Sequence, residues 1–248
     1  MKAIILAAGY ATQLYPLTER FPKPLLPVGG RPILDWLIGD LSPVIDTFIV
    51  VTNHRFAPQF REWSVGKPVE VIDDGTMDNE TRLGAVNDIR LAAQGVDGDV
   101  LVMAGDNVLT FSLVPFVEYA RRTGTACVMC HEERRPEALR RTAVITVDAD
   151  GLITSYEEKP EQPKGHLAVP PFYYYRAADV ARIGEALEAS CGYDAPGSFA
   201  AWLSGKTPMH AWPMPGRRYD IGDMKSYEAV RDSYTGIAES GNRIPLRH

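Results

Sequence analysis

Two places in this 248-residue chain carry residue types suited to holding phosphate and moving it. The first is the loop that follows the apolar run 3–8, where Leu6, Ala7, Ala8 and Gly9 lead into a small, polar run through Thr12 and Gln13. Small side chains let successive backbone N–H groups approach phosphate oxygens and form an anion-holding nest. Lys23 stands just beyond, among Pro16, Pro22, Pro24 and Pro27. Those prolines fix φ and remove donors, so the ammonium is carried on stiff backbone, as a phosphate counter-charge requires. The second place is Gly105-Asp106-Asn107, directly after the apolar run 99–104. A carboxylate there suits Mg²⁺, which takes one or two carboxylates plus substrate phosphates and keeps several waters. The local sequence fits Asp106 as the N-cap of a following helix equally well.

The run 3–8 is long enough for one buried strand of a parallel sheet. A small-residue loop at the carboxyl end of such a strand is where an open α/β sheet binds its ligand. Further along, 32–41 reads as a helix opened by proline, 47–52 as a strand, 54–63 as a helix and 69–73 as a strand. Residues 83–93 have helical spacing, 99–104 form a strand, 111–122 a helix and 125–131 a strand. This alternation implies a parallel sheet with right-handed crossovers. The character then changes. Residues 142–147, 152–157 and 167–175 read as three strands, with Asp148-Ala149-Asp150-Gly151 as a hairpin turn. Residues 179–190 and 197–203 read as helices, 209–212 as a short strand and 225–234 as a closing helix.

Composition narrows the function classes. Hydrophobic residues make up 45% and charged residues 23%, as in an ordinary globular protein. Lys and Arg number 26 against 32 Asp and Glu, a net charge of −6, which argues against a nucleic-acid partner. A small anionic substrate needs only a local positive pocket. No apolar stretch approaches the roughly 20 residues needed to span a bilayer, and the N-terminal run makes a poor signal peptide, so no membrane partner and a cytoplasmic location are expected. Cys127-Val128-Met129-Cys130-His131 matches a haem-attachment pattern literally, but lies in an apolar run that reads as a buried strand of free thiols.

The string LAAGYATQLYPLT followed by PKPLLPVGGRPIL resembles the signature of the nucleotidyltransferases that make nucleotide-activated sugars, the NDP-sugar pyrophosphorylases. The resemblance covers nearly the whole chain and implies an α/β, Rossmann-like fold, a mostly parallel mixed sheet flanked by helices with a β-rich acceptor-binding half. It implies one domain over 1–248, with a nucleotide-binding half 1–135 and an acceptor-binding half 136–248. The implied reaction transfers an NMP group from a nucleoside triphosphate to a small phosphorylated acceptor, by default a sugar 1-phosphate. Carried over residue by residue, Leu6, Ala7, Ala8, Gly9, Thr12, Gln13, Lys23, Arg82 and Gly84 would bind the nucleotide, with Lys23, Asp106 and Gln13 at the reacting phosphates. Asp106 and Asp220 would share one Mg²⁺, the latter in Tyr219-Asp220-Ile221-Gly222, with Asp223 capping the last helix. Asn107, Glu158, Lys159, Val169 and Tyr173 would meet the acceptor, Glu158-Lys159-Pro160 matching the family's E-K-P.

Departures from the family pattern matter as much as matches. Ala11 stands where a glycine is usual, and Gln13 where an arginine grips the leaving phosphates; glutamine brings a hydrogen bond and no charge. Pro170-Pro171 and Thr142 replace residues usual in thymidylyl- and uridylyltransferases, so the acceptor pocket is expected to differ in shape. A cytidylyltransferase for a phosphonate or phosphocholine, or a nucleotide-binding regulatory homologue, are the competing readings. A homo-oligomer is compatible with the sequence. The chain is expected to lack the C-terminal extension of the bifunctional relatives.

Overall fold

The computed structural model describes residues 1–238; the final ten residues of the expected acceptor half lie outside the described residues. Its strands are β1 (Lys2–Leu6), β2 (Pro27–Val28), β3 (Arg31–Pro32), β4 (Thr47–Thr52), β5 (Val69–Asp73), β6 (Val100–Ala104), β7 (Asn107–Leu109), β8 (Ala126–Glu132), β9 (Ala143–Val147), β10 (Ile153–Glu158), β11 (Leu167–Val169), β12 (Phe172–Tyr175), β13 (Met209–Pro213) and β14 (Arg218–Asp220). The main sheet runs β10-β9-β11-β8-β12-β6-β1-β4-β5, and β13 joins it by pairing with β8. Strands β5, β4, β1 and β6 are mutually parallel, and β1 lies between β4 and β6. On the other side β12, β11 and β10 run against their neighbours, giving the mixed, β-rich half.

Both faces of the sheet are covered, which is why β1 is apolar at every inner position. Ala3 and Ile5 enter a core closed by Leu34, Phe60 and Phe116 from the helices Ile33–Leu41, Ala57–Ser64 and Val114–Thr123. Ile4 points the other way, into a core closed by Val86, Ile183 and Phe199 from Ala85–Ala93, Ile183–Glu188 and Gly197–Ser204. Strand residues alternate faces, so a strand buried on both reads as an unbroken apolar run. A third cluster joins the start of the chain to its end: Leu14, Leu26 and Val28 pack with Ile221, Tyr227 and Val230.

The alternation expected up to residue 131 is present, and the hairpin at Gly151 joins β9 to β10. Two expectations need correction. Residues 167–175 are not one strand. The pair Pro170-Pro171 breaks them into β11 and β12, which occupy different places in the sheet, because proline has no N–H to give a ladder. Residues 179–190 are likewise two short helices, Ala177–Val180 and Ile183–Glu188. The closing helix is Met224–Arg231, capped as expected by Asp223, whose carboxylate accepts from the Ser226 N–H at 2.7 Å.

Candidate active site

The first loop leaves β1 at the carboxyl edge of the sheet and is latched from three sides. The Ala7 N–H donates to Val51 O at 2.9 Å. Asn53, fully buried just past β4, donates from Nδ2 to Ala8 O at 2.9 Å. Thr18, also fully buried, donates from Oγ1 to Ala11 O at 2.7 Å. Ala11 itself sits at φ 48°, ψ 46°, the left-handed region, and starts the 3₁₀ turn Thr12–Leu14. That conformation explains why glycine is the usual residue here; a Cβ in it costs about 1–2 kcal/mol.

Two clefts adjoin along this loop. One, of about 410 Å³, holds Ala8, Thr12, Arg82, Gly84 and Asp88. The other, of about 250 Å³, holds Ala7, Lys23 and Asp106. Leu6, Gly9, Ala11 and Gln13 wall both. In the larger cleft Arg82 is tied back, its Nε donating to Asp194 Oδ1 at 2.8 Å. Gly84 opens the helix Ala85–Ala93 at φ 88°, and a Cβ there would stand 2.5 Å from Tyr193 O, so no other residue fits. Asp88, in the first turn of that helix, is 5% exposed. Its Oδ1 is buried without a partner among the described residues. Burial, helped by the charge of Asp74, pushes this carboxyl up to about 7.

In the smaller cleft Lys23, 9% exposed, reaches Asp106 Oδ2 with Nζ at 2.7 Å. Asp106 caps no helix, since the next one begins at Val114; that alternative is set aside. Its Oδ1 accepts instead from Asn107 Nδ2 at 3.0 Å. Asn107 Oδ1 in turn accepts from Arg218 Nη1 at 2.5 Å, and the same Nη1 lies 3.5 Å from Asp220 Oδ2. Strands β7 and β14 pair so that Asn107 faces Asp220, which brings Asp106 and Asp220, 114 residues apart in sequence (220 − 106), to neighbouring positions. Among the described residues no cluster of three or more His, Cys, Asp or Glu could hold a metal.

The remaining residues lie on the antiparallel half. Glu158 ends β10 largely buried, with Oε2 unpartnered among the described residues; burial raises its carboxyl, and neighbouring Lys159 opposes the rise. Lys159 is exposed at φ 46°, its N–H on Thr142 O. Val169 and Tyr173 are each 3% exposed and belong to the core, Tyr173 stacked on Tyr175 with ring centroids 6.0 Å apart. Thr142 donates from Oγ1 to Val169 O at 3.1 Å, beside the proline break. Asn107 alone of the five acceptor candidates touches Asp106. Cys127 and Cys130 are buried free thiols in β8.

Asn53, Thr18, Asp88, Asp194 and Arg218 were not singled out by sequence pattern. A polar residue closing an apolar strand is a signal for Asn53; Asp194 and Arg218 work through distant partners and leave none.

A mixed sheet flanked by helices, whose first loop walls two clefts with a lysine–aspartate pair in one of them, defines an α/β protein with a site suited to an anion. Comparison with known proteins gives the family. The model of the family described as nucleotidyl transferase matches residues 2–236, and the chain belongs to that family. A glucose-1-phosphate thymidylyltransferase of Mycolicibacterium smegmatis is 33% identical over 192 residues, 73% of this chain and 64% of that one. The bifunctional protein GlmU of Methanocaldococcus jannaschii is 29% identical over 175 residues, 71% of this chain and 40% of that one. The chain thus spans less than two thirds of either curated relative. In fold it matches a UDP-glucose pyrophosphorylase complexed with UDP-glucose, with a TM-score of 0.80 at 17% identity, covering 94% of this chain and 97% of that one. A Bacillus anthracis chain described as a glucose-1-phosphate thymidylyltransferase, in complex with sucrose, matches with a TM-score of 0.82 at 23% identity, 98% of each chain covered. No helix among the described residues is long and apolar enough to cross a membrane.

Proposed function

We propose that the protein transfers a nucleoside monophosphate from a nucleoside triphosphate to a phosphorylated acceptor, by default a sugar or sugar-like 1-phosphate, with release of pyrophosphate. The observation that carries this reading is the shared wall: Gly9, Ala11 and Gln13 belong both to the cleft of Arg82 and Gly84 and to the cleft of Lys23 and Asp106. A nucleotide laid across that wall has its base in the larger cleft and its phosphates over the loop. An acceptor phosphate oxygen attacks the α-phosphorus in line as the bond to pyrophosphate breaks. Such chemistry needs positioning and charge neutralisation more than covalent help.

The roles follow from position. Ala8, Gly9 and Thr12 carry the loop amides toward phosphate, Leu6 and Ala7 wall the cleft at the root of the loop, and Gln13 offers an uncharged donor where it ends. Lys23, now held on Asp106, supplies the buried positive charge. Glu158 and Lys159 end the antiparallel half on the acceptor side, over the floor of Val169 and Tyr173. Asp106 and Asp220 would hold Mg²⁺. The donor set fits, being two part-exposed carboxylates at neighbouring positions, and a hard dication needs no more than that besides phosphate and water. When bound, the ion neutralises phosphate charge. The nucleotide-binding half is then 1–135 and the acceptor-binding half begins at 136. Both substrates belong to the cytoplasm, and we assign the protein there.

A matrix of five nucleoside triphosphates against phosphorylated acceptors, read by pyrophosphate release, tests the reading. At least one pair should turn over. Binding of triphosphate without release for every acceptor would replace it with a binding module.

A further inference from the structure

We propose that Arg218 binds the acceptor's phosphate and holds it at the reaction centre, an assignment that rests on the nucleotidyl-transfer reading above. A guanidinium carries five N–H donors in a planar fork. Among the described residues the structure engages one of them, Nη1 on Asn107 Oδ1. The nearest carboxylate, Asp220, stands off at 3.5 Å. It is also the group given above to a dication, so its charge is not spent on Arg218.

The place is right for phosphate. Arg218 rests on Asn107, whose amide touches Asp106, so the guanidinium lies beside the Lys23–Asp106 pair. Its side chain is 18% exposed, shielded enough for its charge to act on neighbours. That charge is felt on two strands of the antiparallel half. It favours ionisation of Tyr173 on β12, against burial and Glu158, and it adds to the burial that disfavours a charged His131 on β8. Arg218 thus links the reacting edge of the sheet to the acceptor floor. A fork with free donors at that junction suits a phosphate, which accepts two parallel N–H bonds, and lysine cannot reproduce that geometry.

The competing role is a strap that only holds Asn107 and β14. A strap needs the single hydrogen bond and no charge, which a glutamine can supply. Arg218→Gln and Arg218→Lys therefore separate the two, with pyrophosphate release measured while acceptor and triphosphate are varied in turn. Arg218→Gln should lower kcat/KM for the acceptor by about tenfold or more and leave the triphosphate KM within about twofold, with Tm unchanged; Arg218→Lys should recover part of the loss. Unchanged acceptor kinetics, equal loss for both substrates, or a loss that tracks a fallen Tm would overturn the assignment. If no substrate pair turns over, the nucleotidyl-transfer reading fails by itself, and calorimetric titration with inorganic phosphate decides the rest. Phosphate binding weakened about fivefold or more in Arg218→Gln supports the assignment, and equal affinity refutes it.

Discussion

Asp88 is a carboxyl buried where nothing pays for its charge, and Asp88→Asn should expose that as a pH-dependent gain in stability. In the unfolded chain the group titrates near its ordinary value of about 3.9. In the folded chain burial and Asp74 hold it to about 7. Below pH 4 both states are protonated and the group makes no difference. As pH rises from 4 to 7 the unfolded chain gives up its proton first, so stability falls, and above 7 the loss is complete. A separation of about three pK units corresponds to about 4 kcal/mol, of which about 1.5 is lost by pH 5 and about 2.5 between pH 5 and pH 8. Asparagine keeps the shape and does not titrate. Urea unfolding of both proteins at the two pH values cancels the titrating groups that do not couple to Asp88. The variant's advantage should grow by about 2.5 kcal/mol from pH 5 to pH 8, or about 5–10 °C in Tm for a chain of this size. A difference between the two proteins that stays constant across that interval would refute the account of Asp88.

Three further outcomes test the proposed site. Asp106→Asn should cut turnover by about a hundredfold or more while circular dichroism reports an intact fold, since an amide is a poorer ligand for a hard dication; full activity would remove Asp106 from the reaction. Lys159→Ala should raise the acceptor KM by about fivefold or more with triphosphate affinity unchanged, because an exposed ammonium on the acceptor side can pair with a phosphorylated acceptor; equal loss of both affinities would make Lys159 structural. Gln13→Arg restores a charged hydrogen bond worth about 1.5–3 kcal/mol, so kcat/KM for the triphosphate should rise about ten- to a hundredfold; a fall would mean that glutamine is adapted to the leaving phosphates.

The parallel half was legible because doubly buried strands leave unbroken apolar runs: β4 and β5 coincide with residues 47–52 and 69–73 as read. The proline break was readable too, yet an apolar run on either side of Pro170-Pro171 masks it. Strands β7 and β14 were beyond reach. Each has three residues, and what makes them strands is each other. The same holds for the site. Lys23 and Asp106 stand out by type and neighbourhood, and Asn53 by closing an apolar strand, whereas Arg218 acts through a hydrogen bond to Asn107, 111 residues away, that no local pattern announces.

The third core cluster has a consequence for how the protein is made. Tyr227 donates from its hydroxyl to Pro27 O across 200 residues, and the Gly29 N–H donates to Arg231 O at 2.7 Å. The segment that carries the signature loop and Lys23 is therefore made about 200 residues before the helix that packs on it. At about 5–20 residues per second, those 200 residues impose a wait of about 10–40 s. Throughout it Leu14, Leu26 and Val28 lack Ile221, Tyr227 and Val230 of the cluster that buries them. The nascent chain thus carries an uncovered apolar patch next to its first loop until residues 221–230 have emerged, and chaperone engagement during translation should concentrate on residues 14–28.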